Sequence, residues 1–177
     1  MNKIRWGIIG PGSIAYNFAD ALNQSYSGEL VAIASLNNNR RKIFGDKYKI
    51  DNSLRYDNYD KLLNSNSIDA VYISTPHTFH ADLSIKAALN GKHIICEKPA
   101  AVNFSQGEKV INAVREADVF YKEGLMYRCH PQIPSLLKLL KDKVVGDVIK
   151  IKSSFGFDMK KIIPKHRLFN KNLAGGA

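Results

Sequence analysis

Short runs of consecutive apolar residues alternate along this chain with stretches whose apolar residues are three or four positions apart. Four runs predict buried strands, namely Ile4 to Ile9, Leu30 to Ala34, Ala70 to Ile73 and His93 to Ile95. Each run is followed by a stretch with helical spacing. Strands that alternate with helices pair in parallel through right-handed crossovers. The pattern therefore predicts an α/β fold with a doubly wound parallel sheet.

The helical stretches have recognisable limits. Ile14, Phe18 and Leu22 recur every four residues and form one stripe of a helix, and Ser13 is placed to cap it. The other helices predicted in this part of the chain are Arg40 to Tyr48 and two that end near Asn90 and Ala117.

The pattern changes after Phe120, which predicts a domain boundary. We expect residues 1–122 to form the first domain and residues 123–177 to begin a second, α+β domain. The elements predicted there are a helix, Leu136 to Lys141, which Gly146 ends, and a long strand, Asp147 to Phe157. That strand has no predicted partner, and an unpaired strand is prone to wrong pairing. Cutting the chain after Gly146 is therefore expected to improve solubility.

A glycine-rich loop joins the first strand to the first helix. Its residues, Gly10 to Ala15, read G-x-G-x-x-A. In such a loop Gly10 permits the tight turn, Gly12 lets the backbone approach a pyrophosphate, and Ala15 allows close helix packing. The amides of Ser13 and Ile14 would face the anion. The motif in this context predicts dinucleotide binding and a Rossmann-type sheet; the alternative is a tight turn that needs glycine.

The turn after the second strand bears on the choice between NADP and NAD. NAD enzymes usually carry an acidic residue there that binds the adenosine ribose. This chain has no carboxylate between Ser35 and Arg41, while Ser35, Asn37 and Arg40 are placed to contact a 2′-phosphate. We therefore expect NADP as cofactor, with NAD as the alternative. The same residues also fit a helix-capping turn with surface arginines.

Two further segments follow strands at the same edge of the sheet, where open α/β sheets bind ligands. One runs from Thr75 through His77 to His80, and the other is Glu97-Lys98-Pro99. An acid beside an amine suits proton transfer coupled to hydride transfer, particularly if burial lowers the pKa of the lysine. The alternatives are an exposed turn for Glu97 to Pro99 and buried or capping imidazoles for the two histidines.

The chain resembles the Gfo/Idh/MocA family of NAD(P)-dependent oxidoreductases. Five segments carry the resemblance in the family's order: Gly7 to Ile14, Ile73 to His80, Cys96 to Ala100, Glu123 to Gln132 and Leu173 to Ala177. The fourth segment is most similar to the branch that contains dihydrodiol and D-xylose dehydrogenases. This resemblance implies hydride transfer to or from a sugar or related secondary alcohol.

The resemblance also implies roles for individual residues. Lys98 would be the catalytic lysine, Glu97 would lie against the nicotinamide ribose, and Pro99 would follow a cis peptide bond. The residues implied to contact the nicotinamide end or the substrate junction are Thr75, His77, His80 and Arg128. Leu36 departs from the pattern, because NADP-using relatives often have an arginine at this place.

In the family, the residues after Ala177 supply a second catalytic side chain and an open-faced sheet that shapes the substrate pocket and the dimer. We therefore expect a truncated enzyme whose full-length relatives are homo-oligomers. Two activities remain open: a dehydrogenase with a small, carbohydrate-like substrate, and a nucleotide-binding fragment without catalysis.

Charge and cysteine content narrow the remaining possibilities. The chain has 26 Lys and Arg residues against 16 Asp and Glu residues, a net charge of +10. The lysines are scattered and no nucleic-acid motif accompanies them, so nucleic-acid binding is not favoured. No apolar run approaches the roughly 20 residues of a membrane span. Cys96 and Cys129 lack metal-type spacing, so we expect no metal site and a cytoplasmic location.

Overall fold

A sheet of six parallel strands forms the centre of the fold, which a computed structural model describes for residues 3–154, 156 and 169–175. The strand order is β3-β2-β1-β4-β5-β6. The strands are β1 Ile4–Ile9, β2 Gly28–Ala34, β3 Arg55–Tyr56, β4 Ala70–Ile73, β5 His93–Cys96 and β6 Tyr121–Glu123. The predicted Rossmann-type α/β sheet is confirmed.

Helices cover both faces of this sheet. They are α1 Ser13–Leu22, α2 Asn38–Lys47, α3 Tyr59–Leu63, α4 His80–Leu89 and α5 Phe104–Glu116. Successive residues of a strand point to opposite faces, so each strand contributes to two cores. Ile8, Ile33 and Tyr72 pack with α1 and α2, while Ile9 and Ile73 pack in the cluster that includes α4 and α5. Burial on both faces explains why the strands are continuous apolar runs.

Three short elements were not predicted from the sequence. They are β3, α3 and β6, which have two, five and three residues. A segment this short shows no periodicity, and it is defined by pairing or packing instead. The ends predicted for α4 and α5 are confirmed, because Asn90 and Ala117 are their C-terminal caps.

The buried stripe of α1 differs from the prediction. Its buried residues are Ala15, Ala19 and Leu22, whereas Ile14 and Phe18 are only partly buried. Small side chains face the sheet because α1 packs close to it, as the short side chain of Ala15 permits. The larger residues therefore lie at the flanks of the contact.

The chain divides into two compact units, described here one at a time. The first comprises Met1–Gly124 with Asn172–Ala174, and the second comprises Leu125–Lys171 with Gly175–Ala177. The second contains helix α6, Gln132–Lys141, which starts earlier than predicted. Pro134 lies in its first turn, where a missing N–H removes no helical hydrogen bond. The helix ends at Lys141, as predicted, although its C-cap is Asp142 rather than Gly146.

The predicted strand Asp147 to Phe157 is not observed in the part that the structure describes. Residues 147–154 have no regular secondary structure, and the side chains of Ile149 and Ile151 are 98% and 78% exposed. An apolar, β-favouring sequence forms a strand only when another strand supplies hydrogen-bond partners. Phe155 and Phe157 lie outside the described residues.

The described residues also bear on membrane and metal sites. None of the helices among them is long and apolar enough to cross a membrane. They contain no group of three or more His, Cys, Asp or Glu side chains arranged to hold a metal ion.

Candidate active site

The loops that carry the candidate residues are joined at the carboxyl edge of three neighbouring strands. Ser74, directly after β4, donates its backbone N–H to Ile9 O at 2.9 Å and its hydroxyl to Gly10 O at 2.8 Å. Glu97, directly after β5, donates its N–H to Ile73 O at 2.9 Å. The chain leaves β1 towards β2 on one side and continues from β4 to β5 on the other. This edge is the topological switch point, where open α/β sheets bind ligands.

Gly10 occupies a position that excludes other residues. Its φ is +87°, and a Cβ there would lie 3.1 Å from Ser74 O and from Thr75 N. A side chain would therefore meet both backbone strain and a clash with backbone atoms. The turn brings the end of β1 against the loop after β4.

Gly12 directly precedes helix α1 and caps it, so the prediction that Ser13 is the cap is wrong. Gly12 is the N-cap, with extended φ and ψ of −86° and 178°, and Ser13 is the first helical residue. A Cβ on Gly12 would meet nothing within 4 Å, so the space above it is open. The amides of Ser13 and Ile14 belong to the first turn, where a helix provides no acceptor. Open space and unpaired amides together fit a pyrophosphate.

Thr75 brings an unsatisfied polar atom to the same edge. Its side chain is buried, and Oγ1 has no hydrogen-bond partner among the described residues. Leaving a buried hydroxyl unpaired typically costs about 1–3 kcal/mol.

The turn after β2 uses two of the three predicted phosphate contacts internally. Ser35 is 5% exposed, and its hydroxyl accepts from the Asn37 amide at 3.2 Å. The side chain of Asn37 caps α2 by accepting from Arg40 N at 2.9 Å. The capping alternative therefore describes Ser35 and Asn37, while Arg40 is exposed beside them. Leu36 is also exposed.

Arg41 is the more firmly placed of the two arginines. Its guanidinium donates to Ser35 O at 2.6 Å and to the Asn38 side chain at 2.8 Å. A cleft of about 390 Å³ opens next to it and is lined by Asn38, Arg41, Lys42, Asp46, Asn52 and Arg55. Three cations against one carboxylate make this cleft suited to an anion.

The loop that carries Lys98 is held by two contacts directly after that residue. Ala100 N donates to Glu123 Oε1 at 2.8 Å, and Pro99 O lies 2.7 Å from His80 Nδ1. The cis peptide bond between Lys98 and Pro99 is confirmed. The side chain of Lys98 is exposed, whereas the argument from the sequence favoured a buried lysine.

His80 finds its polar partners within the protein, and its implied contact with the cofactor stays a prediction. The ring is fully buried, with Nδ1 at Pro99 O and Nε2 at 2.9 Å from Thr75 O. Both nitrogens thus face protein carbonyls. His77 is partly buried and packs edge-on against His80, with ring centroids 5.7 Å apart. The buried-imidazole alternative therefore describes His80.

Arg128 belongs to the second unit. It lies in a 3₁₀ turn, Met126–Cys129, and its side chain is exposed. Its implied place at the substrate junction stays a prediction.

Two residues near the candidate lysine were missed from the sequence. The phenol of Tyr72 donates to Glu97 Oε1 at 2.6 Å, and Glu123 accepts from the lysine loop. Tyr72 could have been singled out, because a tyrosine inside a buried strand needs a partner for its hydroxyl. No such signal marks Glu123, since its role depends on how β6 pairs with β5.

Cys96, which directly precedes Glu97, is excluded as a nucleophile. Burial raises the pKa of its thiol to about 12, so the thiolate is negligible at neutral pH.

Comparison with known proteins agrees with this geometry. Residues 4–125 match the family model described as an oxidoreductase family with an NAD-binding Rossmann fold, Gfo/Idh/MocA. A trans-1,2-dihydrobenzene-1,2-diol dehydrogenase from Xenopus tropicalis is 33% identical over 175 residues, 98% of this chain and 52% of that protein. A D-xylose 1-dehydrogenase (NADP(+)) from Haloferax volcanii is 32% identical over 172 residues, 97% of this chain and 52% of that protein.

Solved structures give the same result. A 3-ketoreductase from Actinomadura kijaniata, in complex with TDP-benzene and NADP, superposes with a TM-score of 0.75 at 33% identity. The match covers 82% of this chain and 46% of that protein. The chain thus spans about half the length of the relatives it matches. Because the family model matches residues 4–125, more than half of the chain, the chain belongs to the Gfo/Idh/MocA family of oxidoreductases with an NAD-binding Rossmann fold.

Proposed function

We propose that the chain binds NADP(H) and takes part in hydride transfer to or from a carbon–oxygen group of a carbohydrate-like substrate. One observation carries the proposal: the Gly10–Gly12 turn and the Lys98 loop lie at the ends of β1 and β5, joined through the loop after β4. Three similar proteins bear names that specify oxidation of a diol, oxidation of a sugar, or reduction of a ketone. All three names describe interconversion of a hydroxyl and a carbonyl.

Each part of the site has a role in binding. The amides of Ser13 and Ile14 would hold the pyrophosphate above Gly12, and Arg40 would contact a 2′-phosphate. Thr75 and His77 would line the nicotinamide end, with Glu97 accepting from the ribose hydroxyls. Arg128 would lie near the substrate. This role assumes that residues 123–177 begin the second domain, as the predicted boundary after residue 122 implies.

Lys98 would move the proton. When bound, the nicotinamide supplies or accepts the hydride. In ketone reduction the Lys98 ammonium donates a proton to the substrate oxygen, and in alcohol oxidation the amine accepts it. General acid–base catalysis of this kind contributes about 10²- to 10⁴-fold in rate.

The binding half of the proposal is tested with Gly12→Ser. Serine is a good N-cap and a Cβ at this position meets no protein atom, so the melting temperature should not fall. The side chain would occupy the space over the loop and should raise the Kd for NADPH at least about tenfold by calorimetry. The wild type should bind NADPH about tenfold more tightly than NADH, because Arg40 and the absence of a carboxylate between Ser35 and Arg41 favour the 2′-phosphate.

Gly107→Ala is the matched control for this measurement. Gly107 lies inside α5, where a Cβ would make ordinary contact with Ala101 at 3.9 Å. Alanine should stabilise the helix by about 0.5–1 kcal/mol and leave NADPH binding unchanged. A wild-type protein that takes up neither NADPH nor NADH would refute the proposal.

The catalytic half is tested by NADPH oxidation with a panel of keto sugars. Lys98→Ala should lower the turnover rate at least about 100-fold while the Kd for NADPH stays within about threefold. Lys109→Ala removes the same charge from an exposed position of α5 and should change neither quantity. Equal rates for the wild type and Lys98→Ala, with binding intact, would favour a nucleotide-binding protein without catalysis.

A further inference from the structure

Tyr72 and Glu97 form a contact across two neighbouring strands beneath the candidate site. Tyr72 pairs in register with Ile95 of β5, and Glu97 follows Ile95 by two residues on the same face of the sheet. The phenol donates to Glu97 Oε1 over 2.6 Å, a short distance typical of a hydroxyl bound to a carboxylate. The bond links the interior of the sheet to the loop that carries Lys98.

The tyrosine ring itself is firmly held. It is 3% exposed, and it stacks on Phe18 of α1 with ring centroids 4.0 Å apart and an angle of 8° between the planes. Phe18 lies on the helix whose N-terminus forms the phosphate loop. The phenol is thus fixed by the same helix that would receive the pyrophosphate.

The Tyr72 hydroxyl remains protonated, and so remains a hydrogen-bond donor, throughout the neutral pH range. Burial, followed by the hydrogen bond to Glu97 and the negative charge of that residue, raises the pKa of Tyr72. A protonated phenol directed at a carboxylate limits the positions that the carboxylate can take. A carboxylate has about four lone-pair positions, so one bond from Tyr72 leaves capacity for other donors.

On the far side, Glu97 is confined by the backbone. A Cβ built on Gly124 would lie 3.1 Å from Glu97 Oε1, and Gly124 N donates to Cys96 O at 2.7 Å. The Tyr72 hydroxyl and the chain at Gly124 therefore both lie close to Glu97 Oε1. Tyr72 belongs to β4, and Gly124 directly follows β6.

We propose that Tyr72 is a positioning residue, which holds the carboxylate of Glu97 in the orientation that accepts hydrogen bonds from the ribose next to the nicotinamide. This inference rests on the proposed function, because it needs a dinucleotide in the cleft. Tyr72 does not touch the ligand; it acts through Glu97. An acceptor arranged in advance, here the Glu97 carboxylate, reduces the ordering that binding would otherwise require.

The test uses Tyr72→Phe, which keeps the stacked ring and removes only the hydroxyl. Two ligands are titrated: NADPH, and adenosine 2′,5′-bisphosphate, which lacks the nicotinamide riboside. Tyr72→Phe should weaken NADPH about five- to tenfold and change the affinity for the bisphosphate less than about twofold. Tyr56→Phe is the control. Tyr56 lies on β3, and its hydroxyl donates to Ser65 Oγ at 3.0 Å, so its removal should leave both affinities unchanged.

A double-mutant cycle separates positioning from a general loss of structure. Glu97→Gln alone should also weaken NADPH selectively, and adding Tyr72→Phe to it should cost less than about twofold more. Equal effects of Tyr72→Phe on both ligands, the same effect with and without Glu97→Gln, or no effect at all would each overturn the inference. Failure of the proposed function looks different, because the wild type would then bind no dinucleotide.

Discussion

Asp69 and Arg5 hold the edge of the sheet opposite the candidate site. Asp69 directly precedes β4, and its carboxylate accepts from the Arg5 backbone at 2.9 Å and from the guanidinium at 3.0 and 2.6 Å. The side-chain hydrogen bond from Arg5 outweighs the opposing effect of burial and lowers the pKa of Asp69 to about 2 from the ordinary 3.8. The folded state therefore favours the ionised form.

Replacing this carboxylate should produce a pH-dependent loss of stability. Asp69→Asn should lower the free energy of unfolding by about 1 kcal/mol at pH 7, since the two side chains are 41% and 40% exposed and solvent weakens the pair. Because the pKa of Asp69 is depressed by folding, its contribution is complete above the unfolded value and is lost as the pH falls towards 2. The difference from the wild type should narrow to about half at pH 3 in urea titrations.

Asp57→Asn is the control for this pair. Asp57 forms an exposed ion pair with Lys61, four residues further along the chain, at 2.9 Å. Asp57→Asn should therefore leave the free energy of unfolding measurably unchanged. A stability difference for Asp69→Asn that is the same at pH 7 and pH 3 would contradict the role given to ionised Asp69.

At the level of single residues, sequence reasoning succeeded where backbone geometry decides identity. Gly10 was singled out because a tight turn needs glycine, and its positive φ bears this out. It left alternatives open for His80 and Ser35, because a polar side chain next to a ligand site and one that bonds to nearby backbone look alike in sequence. For His80 the internal contacts become visible only in the distances from its ring nitrogens to two carbonyl oxygens.

At the level of elements, long apolar runs were predictable and short polar strands were not. β1, β2, β4 and β5 are buried on both faces, and their hydrophobic runs mark them directly. The segments of β3 and β6, Arg-Tyr and Tyr-Lys-Glu, become strands only through pairing with β2 and β5. The predicted strand from Asp147 is the reverse case, in which a β-favouring sequence lacks a partner among the described residues.

The loops are more strongly connected than their sequences suggest. His80 contacts carbonyls of the loops after β4 and β5, and Glu123 of β6 binds the second of these loops. Three neighbouring strand ends are thereby fixed to one another. Residues this far apart in the sequence can be placed together only once the strand order is known.

For the whole molecule, the two units differ in how much apolar surface they bury. Both hydrophobic clusters lie between Trp6 and Tyr121, within the first unit. In the second unit, α6 has no buried residue. The large apolar side chains exposed there include Leu136, Leu137, Leu139, Val144, Val145, Val148, Ile149 and Ile151. Apolar surface of this extent promotes association in isolated proteins.

Truncation tests whether residues 1–124 of the first unit are self-sufficient. A chain that ends at Gly124 keeps every residue of both clusters, so its melting temperature should stay within about 2 °C of the full chain. Its Kd for NADPH should stay within about threefold, because the proposed phosphate and ribose contacts precede Gly124. Light scattering should show that the chain ending at Gly124 aggregates less than the full chain. A chain that ends at Gly146 should give an intermediate result, since this chain lacks Ile149 and Ile151 but keeps α6. If shortening lowers the melting temperature or increases scattering, residues after Gly124 stabilise the sheet domain, and the predicted domain boundary is wrong.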